Sequence, residues 1–514
     1  MAENREKYIV AADLGTAKMS LIVVKVNGFD TQVVYYKEIA SAGVRYSGVC
    51  SMSQAHAPLD VLIKGAETAL NIKINHVVIG MPKFPIRQET NSGKIMDRGE
   101  DTEITAEDIE NIKKFAQDNY RLADEEKEAV YGAVAQSFSD SENFQTKEED
   151  IIGMASDVIE GHFNIFIGRK KELKNADSLL AKSDTSAIKK YFTAHTTAKL
   201  VLTESEMDNG VVLVDMGGGA TSVSIYVDGI MRHYASIPFG GKSITSDIKS
   251  ELQITEKLAE NIKLAFGACM SDKLQNMSEK VLYIEDKLTH MEKQVPVKYL
   301  SDIITARVEE LVEAILYIIK SSGFEDDIRC GIVLTGGVSK TVNLRTLIKE
   351  MSGYHTRIGH PMVQFSSEGI EGTDNVSAAT ILGLVMEAIN ENIPNCALDL
   401  DDNITYEEVS DNVTEEGVET EVVVPEVIEV APEVAPEEVP EVTPEVTPKV
   451  TPEVAPKVAP KVTPEVTPEV EGEKKEKWQL LKLVWGKAKS VTSNVTQLIE
   501  NLAEGGEEAV EDEE

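Results

Sequence analysis

Residues 211–229 read VVLVDMGGGATSVSIYVDG. An apolar run ends at Asp215, the glycines Gly217, Gly218 and Gly219 follow, and Thr221, Val223, Ile225 and Val227 then alternate at period 2. This pattern predicts a buried strand, a tight turn and a second strand, hence a β-hairpin with a carboxylate and bare backbone at its tip. Without a Cβ, the three glycines let backbone N–H groups approach a phosphate closely. Asp215 cannot bind phosphate itself, because like charges repel, but it can hold a divalent cation or that cation's waters beside one. The stretch reads as half of a nucleotide clamp, with a plain structural turn as the alternative.

The other half lies at the start of the chain. Residues 8–12 form an apolar run, Asp13, Gly15, Thr16 and Lys18 follow, and a second strand-like run begins near Leu21. The same layout about 200 residues apart predicts a duplicated domain gripping phosphates between its copies. A third Gly turn, Thr335-Gly336-Gly337, ends the apolar run 332–334 and precedes a helical stretch at 342–351, which suits a nucleoside lying on bare backbone.

These three stretches resemble the phosphate 1, phosphate 2 and adenosine motifs of the actin/Hsp70/sugar kinase superfamily. Within it the chain is similar to the FtsA family of bacterial cell-division proteins, over residues 5–390. Residues 237–248 resemble that family's stretch after the second hairpin, 259–263 its nucleoside-contacting helix, and 372–383 the segment returning to the first domain. The resemblance implies an α/β, actin-like duplicated two-domain fold with a nucleotide cleft and an inserted small α+β subdomain, then a disordered Pro-rich linker and an amphipathic helix. It implies ATP and Mg²⁺ as cofactors: Asp13 and Asp215 for the metal, Gly15, Thr16, Lys18, Gly217, Gly218 and Gly219 for the phosphates, Glu260 and Lys263 for ribose and base, and Gly336 and Gly337 beside the adenosine.

Composition bounds the possibilities. The chain has 514 residues and a formal net charge of −37, which argues against nucleic acid as a general partner. Its four cysteines, Cys50, Cys269, Cys330 and Cys396, lack metal-like spacing and fit reduced cytosolic thiols. No apolar segment approaches the ~20 residues of a membrane span, and the start of the chain lacks a signal-peptide core. A protein neither secreted nor membrane-spanning is expected.

On the family pattern, subdomain 1A comprises 1–83, 171–209 and 374–390; 2A comprises 210–254 and 321–373; and 2B is 255–320. The insertion 84–170 corresponds to subdomain 1C (SHS2-like), which in the family serves self-association and recruitment of other division proteins; a lid or spacer is the plainer reading. Thr105 and Asp108 predict a capping box for an amphipathic helix carrying Ile109 and Ile112. Actin-like ATPases place a Gln or Glu near 192–198 to orient the attacking water. This stretch, FTAHTTA, has neither, so hydrolysis is expected to be slow or absent, with His195 a structural or surface histidine and a substitute for the missing residue as the alternative. Residues 301–320 space Ile304, Val308, Leu311 and Ile315 along one helix face. The resemblance makes this subdomain the receiver of the C-terminal peptide of the tubulin-like protein FtsZ, with Arg307 facing its acidic residues; a solvated face is the alternative.

From 391 to 473 the expectation is an acidic, Pro-rich linker. Prolines recur every fourth residue from Pro432 to Pro468, which blocks helix and sheet and favours polyproline II. Residues 474–502 read as an amphipathic membrane-targeting helix: Trp478, Leu481 and Trp485 share one arc, flanked by Lys482 and Lys489. Within 474–489 six lysines oppose one glutamate, a local +5, which suits aromatics at headgroup depth and lysines on anionic lipid. Docking into a protein groove is the alternative for this helix. Residues 503–514 form an acidic tail. The resemblance implies an ATP-binding protein that polymerises on the cytoplasmic side of the inner membrane at the division site and anchors FtsZ. A hydrolytic ATPase, a sugar kinase or a pilus-type adaptor on the same scaffold is the alternative.

Overall fold

The computed structural model describes residues 6–400 apart from 29, 97–101, 141–145, 275–276, 278, 287–290, 363–364 and 367–369. In the first lobe, β1 (Lys7–Leu14), β2 (Lys18–Asn27) and β3 (Asp30–Ala40) pair antiparallel in sequence order. Residues Ile9 to Ala12 are fully buried, as expected where an unbroken apolar run is covered on both faces. Helix α1 (Met52–Leu70) buries Ala55, Leu59, Leu62, Ile63 and Ala66 and ends on Asn71 in the left-handed region (φ 53). After it, β4 (His76–Gly80) pairs parallel with β1, setting Ala11 opposite Val78.

The chain then leaves this sheet for the insertion. Strands β5 (Ile86–Ile95), β6 (Glu128–Asp140) and β7 (Ile159–Arg169) form an antiparallel sheet in the order β5-β7-β6, packed by α2 (Ala106–Asp118). The capping box is present at the start of α2: Asp108 N donates to Thr105 Oγ1 at 3.2 Å, and Thr105 N to Asp108 Oδ2 at 2.8 Å. Ile109, Ile112, Phe138, Phe163 and Ile165 give the insertion a core of its own. Helix α3 (Lys170–Ala181) returns the chain, and β8 (Ser186–Tyr191) adds parallel to β4, so the first sheet runs β8-β4-β1-β2-β3. Helix α4 (Thr193–Val201) follows.

The second lobe repeats this plan. Strands β9 (Val211–Met216), β10 (Thr221–Val227) and β11 (Ile230–Ile237) are antiparallel neighbours. Helices α5 (Gly241–Leu252), α6 (Glu256–Phe266) and α7 (Val297–Ser321) come next. Strand β12 (Ile332–Thr335) then pairs parallel with β9, and after α8 (Leu344–Ser352), β13 (Thr356–Ile358) pairs parallel with β12. Each sheet is thus three antiparallel strands followed by two parallel ones. The registers agree as well: Asp13 lies opposite Ser20 in the first hairpin, and Asp215 opposite Ser222 in the second. Helix α9 (Ala379–Asn390) returns to the first lobe and packs on α4, β1 and β4.

Two contacts extend what the sequence predicts. The insertion reaches the edge strand of the second lobe: Gln88 Nε2 and Asn164 Nδ2 both donate to Arg232 O (3.2 and 3.0 Å), Gln136 Nε2 donates to Met231 O (3.0 Å), and Tyr234 N donates to Gln88 Oε1 (2.7 Å). Beside these bonds the rings of Phe166 and Phe192 stack at 4.6 Å, with Tyr234 edge-on to Phe192 at 4.9 Å. In addition, the linker does not begin at 391. Cys396 and Ala397 are buried, Cys396 N donates to Tyr8 O at 2.8 Å, and Ala397–Asp399 pairs antiparallel with Ile72–Ile74. Apolar side chains among the acidic ones, Ile393, Cys396 and Ala397, keep this segment on the core. The rest of the proposed linker, the amphipathic helix with Trp478, Leu481, Lys482, Trp485 and Lys489, and the acidic tail lie outside the described residues. Among the described residues no helix is long and apolar enough to cross a membrane.

Candidate functional site

The two hairpin tips meet. A Cβ built on Gly218 would lie 2.7 Å from Ala17 Cβ, and one on Gly219 would lie 2.6 Å from Thr16 Oγ1, so only glycine permits this approach. Among the described residues the amides of Gly218 and Gly219 have no backbone acceptor, while Gly217 N is committed to Ala220 O at 3.0 Å. Adjacent unbonded amides at a Gly turn form a concavity suited to an anion. Gly15 lies at the first tip, where a Cβ would fall 2.5 Å from Lys18 O. The start of α5 closes the second loop, with Gly241 N donating to Gly217 O at 3.0 Å and Lys242 N to Gly218 O at 2.7 Å.

The third turn joins the same place because β12 runs parallel to β9 and sets Thr335 beside Asp215. Gly336 takes φ +84, and a Cβ there would lie 2.5 Å from Asp215 Oδ1, whereas one on Gly337 would meet nothing within 4 Å. Glu260 and Lys263, one turn apart on α6, border this region from the α5 side. Lys263 Nζ donates to Gly241 O (3.0 Å), Thr245 Oγ1 (2.8 Å) and Glu260 Oε2 (2.8 Å). An ammonium has three donors, so Lys263 is fully committed and acts here as a strut. Burial, partly offset by Glu260, holds its pKa below the ordinary lysine value.

Sequence reasoning misses two lysines. Lys83 follows β4 by three residues and is buried; its ammonium donates to Asp215 Oδ2 and to Thr380 Oγ1 at 3.3 Å. The reason is topological: parallel neighbours β1 and β4 end on the same side, so the loop after β4 emerges beside Asp13. Burial works against the charge on Lys83, but Asp215 and Asp13 more than offset it, and its pKa is raised. Burial also lifts the Asp13 carboxyl above the usual range, with Lys83 the largest opposing influence. The second missed residue is Lys340. Its Nζ donates to Ser377 Oγ at 3.1 Å, the same hydroxyl that Lys18 Nζ reaches at 2.9 Å. Burial, then the neighbouring Lys18, lowers the Lys340 pKa. Two ammonium groups on one hydroxyl, with Glu38 on Lys18 as the carboxylate partner, make a place where an anion relieves repulsion.

The carboxylates do not fit a directly held magnesium ion. A divalent ion bound to Asp215 would displace the Lys83 ammonium from Oδ2, and among the described residues no group of three or more His, Cys, Asp or Glu is placed to ligate a metal. The unbonded amides of Gly218 and Gly219, in contrast, suit an anion such as a phosphate.

Other expected residues lie elsewhere. Arg307 on α7 bonds Asp247 of α5 through Nε and Nη2 (3.0 Å for the latter) and Glu310 through Nη1 at 2.6 Å, so it ties two helices together. His195 on α4 is half-buried, and among the described residues its Nδ1 has no partner. Burial, then Lys199, lowers its pKa to about 3, so it is neutral at pH 7 and cannot act as an acid there. An unfolded histidine titrates near 6.5, so the stability this group contributes is complete above that pH and drains as pH falls toward the native value. At ~1.4 kcal/mol per pH unit, about 2 kcal/mol is lost by pH 5. Unfolding free energies from urea titration of the wild type at pH 7.5 and 5 should therefore differ by about 2 kcal/mol more than those of His195→Leu; equal differences would contradict a neutral imidazole held in the fold.

The comparisons agree with this architecture. Residues 212–383 match the family model described as Cell division protein FtsA. The cell division protein FtsA of Neisseria meningitidis serogroup B is 28% identical over 363 residues, covering 70% of this chain and 85% of its own length. That of Pseudomonas aeruginosa is 28% identical over 389 residues, covering 75% of this chain and 90% of its own. Among solved structures, a chain of a PilM–PilN type IV pilus biogenesis complex aligns with a TM-score of 0.53 at 13% identity, over 74% of this chain and 98% of that one, a likeness of fold alone. With its duplicated sheets and actin-like fold, the chain is similar to the FtsA cell division proteins over most of its length.

Proposed function

We propose that this protein binds ATP between its two hairpins, polymerises on the cytoplasmic face of the inner membrane and tethers FtsZ filaments there. The observation that carries the reading is the meeting of two duplicated tips, Gly218 against Ala17 and Gly219 against Thr16, with Gly336 closing on Asp215. Bare amides at the tips, Lys18 and Lys340 supply donors to phosphate oxygens, and the loop of Gly336 and Gly337 borders the nucleoside. ATP serves as a ligand that orders the two lobes. Hydrolysis is slow, because α4 carries no Glu or Gln to orient water and burial leaves His195 a weak base.

The insertion 84–170 contacts other copies and other division proteins, and 255–320 receives the FtsZ tail. Arg307 takes part there by exchanging Glu310 for a carboxylate of the peptide. Residues 474–502 provide the lipid anchor, on the charge and aromatic pattern of their sequence.

The test is flotation of the full chain with vesicles containing anionic lipid, with FtsZ, with and without ATP. FtsZ should rise with the vesicles only when the full chain is present, and a chain lacking 474–502 should stay at the bottom. Flotation of the shortened chain, or failure of FtsZ to follow the full one, would overturn the anchor and tether respectively.

A further inference from the structure

We infer that Lys83 is the resident cation of the cleft, paired with Asp215 in the place of a divalent metal, so that the nucleotide phosphates bind without one. The inference rests on the nucleotide reading above and names how that same site is neutralised. Lys83 is held from three directions. Its ammonium bonds Asp215 and lies 3.3 Å from Thr380 Oγ1 in the first turn of α9, its carbonyl accepts from Tyr234 OH at 3.1 Å, and its side chain is only 11% exposed. A lysine buried this deeply is unfavourable unless paired, and removal of one partner leaves an uncompensated buried charge. A magnesium ion taking Asp215 would strand the ammonium in that way.

Charge bookkeeping around the tips points the same way. Asp13, Asp215 and Glu38 contribute three negative charges, while Lys83, Lys18 and Lys340 contribute three positive ones. The cleft is balanced before any ion arrives, and the unbonded amides of Gly218 and Gly219 face an incoming phosphate without a net opposing field. In a metal-dependent site the paired aspartates would instead stand unbalanced until the ion bound. The position of Lys83 follows from strand order, since the parallel pairing of β4 with β1 brings the residues after Gly80 to Asp13.

The test is equilibrium binding of a fluorescent N-methylanthraniloyl ATP to the full chain in EDTA and in millimolar Mg²⁺. The wild type should bind within about 3-fold equally in both. Loss of a charge-assisted contact predicts that Lys83→Met binds roughly 30-fold more weakly in EDTA, with recovery in Mg²⁺ as the vacated carboxylates accept the ion. A readout without nucleotide accompanies it: Mg²⁺ should raise the melting temperature of Lys83→Met and leave that of the wild type unmoved. Wild-type binding that collapses in EDTA would overturn the role of Lys83 and leave the nucleotide site standing. A wild type that binds in neither buffer would instead remove the nucleotide reading, and this inference with it. Should Lys83→Met fail to fold, the wild-type comparison alone decides.

Discussion

Gly336→Ala is expected to lower stability by about 3 kcal/mol and to abolish ATP binding, whereas Gly337→Ala, one residue on, should change stability by less than about 0.5 kcal/mol. The contrast arises from local geometry. Gly336 sits at φ +84, and an added methyl would lie 2.5 Å from Asp215 Oδ1 and 2.6 Å from Met216 O. A non-glycine residue in that region costs ~1–3 kcal/mol, and overpacking adds ~1–3 more. Neither obstacle can yield easily, since Met216 O is backbone and Asp215 is held by Lys83. Displacing Asp215 also moves the second hairpin against the first, so binding should fail together with stability. At Gly337 the same methyl meets nothing within 4 Å. Urea unfolding of the two variants, with ATP titration of each, checks the contrast; equal midpoints would show that the third turn does not press on Asp215.

Phe166→Ala should cost about 3–5 kcal/mol, the usual range for deleting a fully buried phenylalanine. Phe166 belongs to β7 of the insertion, stacks on Phe192 at the start of α4, and stands edge-on to Tyr234 of β11 at 5.9 Å. One ring thus joins the insertion to both lobes. Its loss leaves a cavity where all three meet, so the hydrogen bonds from Gln88, Asn164 and Gln136 to β11 should open as well. Chemical denaturation measures the first effect, and hydrogen exchange at residues 230–237 the second. Destabilisation without faster exchange on β11 would mean that Phe166 serves the insertion's own packing only.

Much of this architecture is legible in the sequence because its signals are local. Apolar runs that end in Asp and then Gly mark both hairpins, and the identical Asp-to-Ser registers explain why the two copies can be matched at all. Thr105 and Asp108 announce the start of α2 for the same reason, since a capping box lies within four residues. What escapes is decided by tertiary structure. Strand β5, IRQETNSGKI, has almost no apolar alternation and is a strand because β7 pairs with it along its whole length. Helix α1 runs from Met52 to Leu70 straight through Pro58, a residue that lacks the N–H a helix interior uses. Lys83 is a single basic residue in a loop and Lys340 one at the end of a short 3-10 helix, and only the parallel pairings carry them to Asp215 and Ser377. Arg307 is conspicuous on its helix, yet nothing in the sequence reveals that Asp247, on another helix, takes its guanidinium.

The central claim is that two glycine-tipped hairpins and the turn at Gly336 enclose one nucleotide. Isothermal titration of the full chain with ATP tests it most directly, set beside the same titration of Gly336→Ala. The account predicts saturation at one ATP per chain for the wild type and no measurable heat of binding for the variant. Saturation of both proteins with equal affinity, or of neither, would contradict it.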